Sequence, residues 1–427
     1  MVGNFSACRA LSLCRMMTPS RAEALARLAA FVPRAGRAYR ATRNEDRGPD
    51  DRTSVSVLGP YIRARLITEE EVVRAVLARH SLSSAEKFVQ EVFWRTYWKG
   101  WLEARPLVWR DYRRELDTAY EGIEHDAEGA AAYRSAIAGT TDIPAFNAWR
   151  NELVESGYLH NHARMWFASI WIFTLRLPWT LGADFFMRHL LCGDPASNTL
   201  SWRWVAGLHT RGKAYRATPE NIRRYTGGRL EPGARLAKRV EALSGPAYEP
   251  EPLPLLTTAV ACDEPTLLLL HDDDMGVETL PLGGAQVVAT AGLSAAGGRS
   301  PQPMSEAVRA FVYGALEDTL RRSPHGEPRA IVESDDISAA AGTLSERAER
   351  CGSRTIVTPY APVGPVRDAL DALERRLDRR SVRLVRVARA FDAMAWPFAT
   401  RGFFHLRSKI PHLLETLAID FSQSPVL

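Results

Sequence analysis

From residue 20 to about residue 240, apolar side chains recur every three or four positions, the period that buries one face of an α-helix. "SRAEALARLAAFV" opens on Ser20 with Glu23 three positions later, and "TEEEVVRAVLARH" repeats the spacing with Thr68 and Glu71. Both are helix starts of the capping-box type. "SSAEKFVQEVFWRTYWKGWLEA" continues the period and stops before Pro106. "LHNHARMWFASIWIFTLRLPW", residues 159–179, places Asn161, His162 and Arg164 in front of an apolar run that is about half the length of a membrane span. These polar groups either cap the helix or face something polar inside the protein.

The pattern changes near residue 244. "SGPAYEPEPLPLL" is Pro-rich and aperiodic, and reads as a linker over 244–262. Short apolar runs follow, "TLLLL", "AQVVAT", "RAIVE", "RTIVT" and "VRLVRV", separated by helical stretches such as "SEAVRAFVYGALEDTLRR" and "PVRDALDALERRL". Strands alternating with helices predict βαβ units and a mostly parallel sheet. The expected architecture is thus a mainly α-helical domain over 20–243 followed by an α/β domain over 263–415. Residues 1–19 are expected to be an extension and 416–427 a tail. No G-x-G-x-x-G or P-loop pattern follows any strand.

Charge adds an asymmetry. Residues 1–250 carry 36 Lys+Arg against 27 Asp+Glu, whereas the remainder carries 19 against 23. The densest basic stretch, Trp202 to Arg239, holds ten Lys or Arg and only Glu220 and Glu231. A polyanionic partner for the first half suits that balance, as would a solvated basic face. None of the five cysteines forms a C-x-x-C pair, so no metal is expected and a reducing, cytoplasmic setting fits. No membrane span is expected.

Ten of the eleven tryptophans precede residue 205. In "FVQEVFWRTYWKGW", Glu91, Trp94, Arg95 and Trp98 fall at i, i+3, i+4 and i+7, one helical face. Carboxylate, guanidinium and indoles together suit a cavity for a flat, polar-edged ligand, although aromatic helix faces more commonly form core. "CGDPASNTLSWRW" adds Asp194, Asn198, Trp202 and Trp204.

Four segments resemble the photolyase/cryptochrome family. "SVLGPYIRARLITEEEV" is similar to its flavin-phosphate segment T-S-x-L-S-P-x-L-x-x-G, and "QEVFWRTYW" to its E-L-x-W-R-E-F-Y helix. "LHNHARMWFAS" is similar to W-x-H-N-R-x-R-M-x-x-A-S, and "CGDPASNTLSWRWVAG" to D-G-D-x-A-x-N-x-x-x-W-x-W-x-A. The four stand in family order. The resemblance implies FAD held by Tyr39, Ser56, Leu58, Gly59, Arg95, Asn161, Arg164, Asp194 and Asn198, with Asp194 and the flavin edge as partners of Arg164. It implies a lesion pocket lined by Glu91, Trp94, Met165 and Trp204, electron transfer through Trp202 and Trp179, and DNA contacts from Arg43, Arg211, Lys213 and Arg216. The distal electron donor is left among Tyr120, Tyr133 and Trp149.

The implied function is light-driven repair of cyclobutane pyrimidine dimers in UV-damaged DNA. A cryptochrome-like photosensor without repair is the alternative, and a flavin-binding remnant with a structural role is a third reading. The sequence departs from the family where Cys192 replaces a usual Asp, Gly59 a Ser, Val55 a Thr and Arg65 a Gly. The α/β domain also follows the helical one instead of preceding it. "RTIVTPYAPVGPVRDALDALERRL" is faintly similar to part of the family's antenna domain. An unrelated α/β module is the other reading, and any second antenna chromophore is unknown.

Overall fold

A computed structural model describes residues 17–233, 235–260, 264–326 and 330–420. Most of the expected extension 1–19, residues 261–262 of the linker and most of the tail lie outside the described residues. Among the described residues, twelve α-helices occupy the first half: α1 (Arg21–Phe31), α2 (Arg37–Thr42), α3 (Gly59–Arg63), α4 (Glu69–Leu77), α5 (Leu82–Glu103), α6 (Leu107–His125), α7 (Ala127–Ala138), α8 (Pro144–Ser156), α9 (Asn161–Ser169), α10 (Trp179–His189), α11 (Pro195–Val205) and α12 (Pro219–Tyr225). The expected caps form. Ser20 accepts the Glu23 N–H, and Thr68 with Glu71 makes a reciprocated capping box. α9 runs straight into a π-turn, Ile170–Thr174.

The second half holds the five expected strands: β1 (Pro265–His271), β2 (Gln286–Ser294), β3 (Ile331–Glu333), β4 (Thr355–Pro359) and β5 (Arg383–Val387). All pairs are parallel, in the order β3-β2-β1-β4-β5. Helices α13 (Glu306–Arg322), α14 (Ile337–Arg350), α15 (Pro365–Asp378), α16 (Ala390–Ala395) and α17 (Phe403–Thr416) complete the chain. β1 is buried on both faces, as a central parallel strand requires. Leu267 and Leu269 pack with Leu344, Leu370 and Leu373 of α14 and α15, while Leu268 and Leu270 pack with Val357 and Val387 on the other side.

The two halves do not have separate cores. Phe311 and Leu316 of α13, Phe391 of α16 and Leu406 of α17 belong to the same buried cluster as Tyr61, Phe93 and Trp166. The domain boundary expected near 263 is therefore one of secondary-structure type, and the apolar interior crosses it.

A buried polar seam joins them. In a doubly wound sheet the ligand crevice lies at the carboxyl ends of the strands where the order reverses, here between β1 and β4. The loop after β1 is Asp272-Asp273-Asp274, and arginines of the helical half enter it. Arg63 donates to the Asp272 carbonyl at 2.6 Å and to the Asp273 carboxylate at 2.8 Å. Arg65 donates to Asp274 at 3.1 Å and to Asp392 at 2.5 Å, and lies 3.4 Å from Glu69. Arg389 grips Asp274 with two bonds of 2.7 Å. Further along, Glu103 at the end of α5 accepts from Tyr360 Oη at 2.7 Å, from the Val363 N–H at 2.6 Å and from Arg367. The crevice is thus filled by side chains of the same protein.

Arg65 has φ +52°, the left-handed region that costs a residue with a Cβ about 1 to 2 kcal/mol. Its three carboxylate partners hold it there. Burial by itself would raise the Asp274 carboxyl, but Arg389 and then Arg65 outweigh it and hold the group well below the usual range. Arg65→Ala should destabilise the protein by about 3 to 5 kcal/mol, because buried carboxylates lose their counter-charge. Arg65→Gly should lose about 1 kcal/mol less, since it removes the backbone strain; denaturant unfolding of the two variants checks both. A carboxylate with a depressed folded pKa stabilises fully above its unfolded value, about 3.9, and loses this as pH falls toward the folded value. Acid unfolding below about pH 4 should therefore be steeper in the wild type than in Asp274→Asn.

Candidate functional site

α5 supplies the floor of the candidate site. Glu91 remains 43 % exposed, yet surrounding protein desolvates its carboxyl and raises its pKa, only partly offset by Arg43 and then Lys87. Arg43 stands over it at 4.0 Å. Tyr39, one turn back on α2, packs edge-on against Phe31 and Phe88. Burial first, then the Glu91 charge, keeps its phenol neutral well above the usual range. Trp94 has one face covered, since Phe403 of α17 stacks on it at 3.7 Å and 12°. The indole can offer a ligand only its other face. Trp98 meets Trp94 at 5.2 Å and continues into a cluster with Tyr97 and His209.

One turn further along α5 lies a cationic group around Asp194. Arg95 Nη1 approaches the Asp194 carboxylate to 3.7 Å, too far for a hydrogen bond, and has no hydrogen-bond partner among the described residues. Lys99 is 3 % exposed, and its ammonium likewise has none. Burial alone would raise the Asp194 carboxyl, but Lys99 and then Arg95 hold it below the usual range. Asp194 also caps α11, accepting the Ser197 N–H at 2.7 Å. Asn198, on the next turn, donates its amide to the Ala183 carbonyl at 2.8 Å. Unpaired buried cations are expensive, so this set fits an anionic or strongly polar ligand group.

The segment 54–59 closes the other side. Val57 has φ +54°, an outlier for a β-branched residue, and Ser56 Oγ accepts the Leu58 N–H at 3.3 Å to hold the turn. Leu58 is fully buried. A Cβ on Gly59 would lie 3.4 Å from Cys192, so this segment and the loop before α11 meet. Behind it, Arg52 covers the Tyr158 ring at 4.1 Å and reaches Glu152 at 3.4 Å. Burial and then Asp46 push the Glu152 carboxyl up to about 7.

The polar start of α9 has more than one use. His160 caps the helix by accepting the His162 N–H at its Nδ1. Burial lowers its pKa to about 4, so at neutral pH it is uncharged. His162 stacks on Trp166, and Asn161 is exposed. Arg164 does not pair with Asp194 as expected. Its Nε donates to the Leu159 carbonyl at 2.8 Å and its Nη2 to Cys192 Sγ at 3.3 Å. Asp194 is instead engaged by Arg95, Lys99 and its own helix N-terminus.

The other expected site residues have contacts of their own. Met165 is half-buried on α9, and Trp204 packs against Tyr215 at 5.6 Å. Trp202 meets Trp171 at 6.3 Å and Phe186 at 5.1 Å, whereas Trp179 packs on Tyr112, which continues to Trp109. Trp171 also leads to Tyr133 and then Tyr120 through ring contacts of 6.0 and 6.4 Å. Arg211, Lys213 and Arg216 are exposed, with Arg211 and Arg216 also bonded to the carbonyls of Gly245 and Lys238. Sequence reasoning missed Lys99, although it lies one turn beyond Arg95, the spacing that marks a shared face.

Residues 88–224 match the family model described as the FAD binding domain of DNA photolyase. A deoxyribodipyrimidine photo-lyase of Streptomyces griseus is 34% identical over 158 residues, 37% of this chain and 33% of the relative. One from Thermus thermophilus is 30% identical over 233 residues, 55% of this chain and 53% of the relative. The chain thus spans from a third to about half of the length of these curated relatives. A solved bacterial class III photolyase from Agrobacterium tumefaciens is 23% identical, with a TM-score of 0.38 over 51% of this chain and 45% of that one. The helical half is thus similar to photolyases, and its matched segment is of the FAD-binding type.

The unpartnered cations beside Asp194, the Asn198 amide and the strained turn at Val57 fit such a group. Arg164 and Gly59 both lie against Cys192. A carboxylate at position 192 would come within ion-pair distance of Arg164 and stay charged. Cys192→Asp should therefore lower the flavin midpoint potential, because added negative charge opposes reduction. Spectroelectrochemical titration of both forms checks the direction, and a higher potential in the variant would mean that position 192 does not act on the flavin.

Proposed function

We propose that this protein repairs cyclobutane pyrimidine dimers in UV-damaged DNA, using light and FAD. FAD, when bound, supplies the light-driven electron. The chain's own residues do the rest. Arg95, Lys99 and Arg164 hold the cofactor through charge, and the Asn198 amide offers hydrogen bonding without net charge. The Glu91 carboxyl can hydrogen-bond a base edge. The open face of Trp94, with Met165 and Trp204, forms an apolar surface for flipped pyrimidines. Trp202 is the proposed first electron donor to the cofactor, and its ring contacts favour onward transfer through Trp171. The earlier assignment of Trp179 as second member has no ring contact with Trp202 behind it. Arg43, Arg211, Lys213 and Arg216 would meet phosphates.

The observation that carries this reading is Glu91, a solvent-accessible carboxyl 4.0 Å from Arg43 and one turn before Trp94 on the same helix. A photosensor that binds FAD without repair is favoured by one feature, Cys192 in place of a family carboxylate. Light-dependent repair of UV-damaged oligonucleotides by the purified protein separates the two.

Two variants divide the site. Glu91→Ala should cut repair about tenfold, the scale of one lost hydrogen bond to the substrate, while FAD occupancy stays near that of the wild type. Arg164→Ala should lower FAD occupancy. Absorbance of the purified variants reads both, and equal loss of FAD would show that the helices do not divide in this way. DNA affinity should also fall steeply with salt, and neutralising Arg211, Lys213 and Arg216 together should reduce that slope by about 2 to 3.

A further inference from the structure

Phe404 is 74% exposed, the one aromatic ring among the large apolar side chains that stand out from the surface of the described residues. A lone exposed ring needs no explanation. This one has an unusual setting. Its neighbour Phe403 is buried and stacked on Trp94, so the first turn of α17 is pinned against the candidate pocket. Successive helical residues point about 100° apart, so a buried Phe403 sends Phe404 outward. The His405 ring, bonded to the Phe398 carbonyl at 3.1 Å, fixes the same turn from behind.

The charge around it has one sign. Residues 393–414 contain Arg401, Arg407 and Lys409 and no Asp or Glu, although the half of the chain from residue 251 onward has more acids than bases. Arg401 and Arg407 are exposed, and the Arg407 guanidinium lies 5.1 Å from the Phe404 ring. The basic loop around residue 211 borders the same face of α5. His209 packs on Trp98 at 4.8 Å and Trp101 at 4.7 Å, and Tyr97 touches both His209 and Phe403. Exposed Arg211 and Lys213 follow His209 in this loop.

We infer that the first turn of α17 is a DNA-contacting element contributed by the C-terminal half. The Phe404 ring enters the base stack next to an extruded lesion, and Arg401 and Arg407 bind the flanking phosphates. An apolar ring inserted between base steps offsets the loss of stacking there, and cations beside it hold the backbone in place. This rests on the DNA-repair reading and extends it to a helix outside the segment matched by the family model.

The test is equilibrium binding in the dark, by fluorescence anisotropy, of a dimer-containing oligonucleotide as duplex and as single strand over a range of salt. Phe404→Ala should weaken duplex binding about tenfold and single-strand binding less than about twofold, because only the duplex has a stack to hold open. Arg401→Gln with Arg407→Gln should reduce the salt slope by about 2. Wild-type binding with unchanged affinity in all variants would overturn this role for α17 and leave the repair reading standing. No binding by the wild type at low salt would overturn both. A change in sedimentation of Phe404→Ala without a change in DNA affinity would assign the ring to self-association, and would also overturn the inference.

Discussion

The arrangement of this protein depends on a few arginines of the helical half entering the acidic loop after β1. Arg63 and Arg65 end a short helix of the candidate cofactor segment, and the same two residues reach the Asp272–Asp274 loop. The turn at Val57 and the docking of the second half are therefore mechanically linked through about eight residues. Burying so much charge does not in itself guarantee stability, since apolar replacements of buried ion pairs can be as stable. What it supplies is geometry. Each guanidinium has a carboxylate or carbonyl at a fixed place, so other positions of the two halves leave charges unpaired.

That seam also bears on what the α/β half can do. The crevice beyond β1 and β4 is where such sheets commonly receive a ligand. Here it receives Arg63, Arg65 and Arg389. The half instead presents surfaces to its neighbour: Glu103 clasped by Tyr360 and Arg367, Trp396 against Gly100, and Phe403 over Trp94. Trp94 thereby gains a rigid backing on one face.

The site balances in the same way. Arg95 and Lys99 are buried with incomplete partners, which is costly unless something polar meets them. Asp194 is shared between them and the start of α11. Arg164 lacks a carboxylate partner because position 192 is a cysteine, and it turns to a carbonyl and a sulfur. An excess of positive charge around an FAD-binding domain favours retention of electron density on the cofactor, whichever fate the electron then has.

Local signals were enough for the elements. Period 3.6 with Ser20 and Thr68 caps located helices, and short apolar runs between helices located all five parallel strands, because burial and capping act over a few residues. Motif order named the cofactor domain. The pairings were not legible. Arg65 could be seen to replace a glycine, but not that it adopts the glycine's backbone conformation and is held there by Asp274 and Asp392, more than 200 residues away. Nor could the sequence tell that Asp194 would serve Arg95 rather than Arg164, that Trp202 would meet Trp171 rather than Trp179, or that Phe403 would cover Trp94. Spacing fixes which face a residue occupies. What that face meets is decided only when distant segments compete for the same buried space and the same charges.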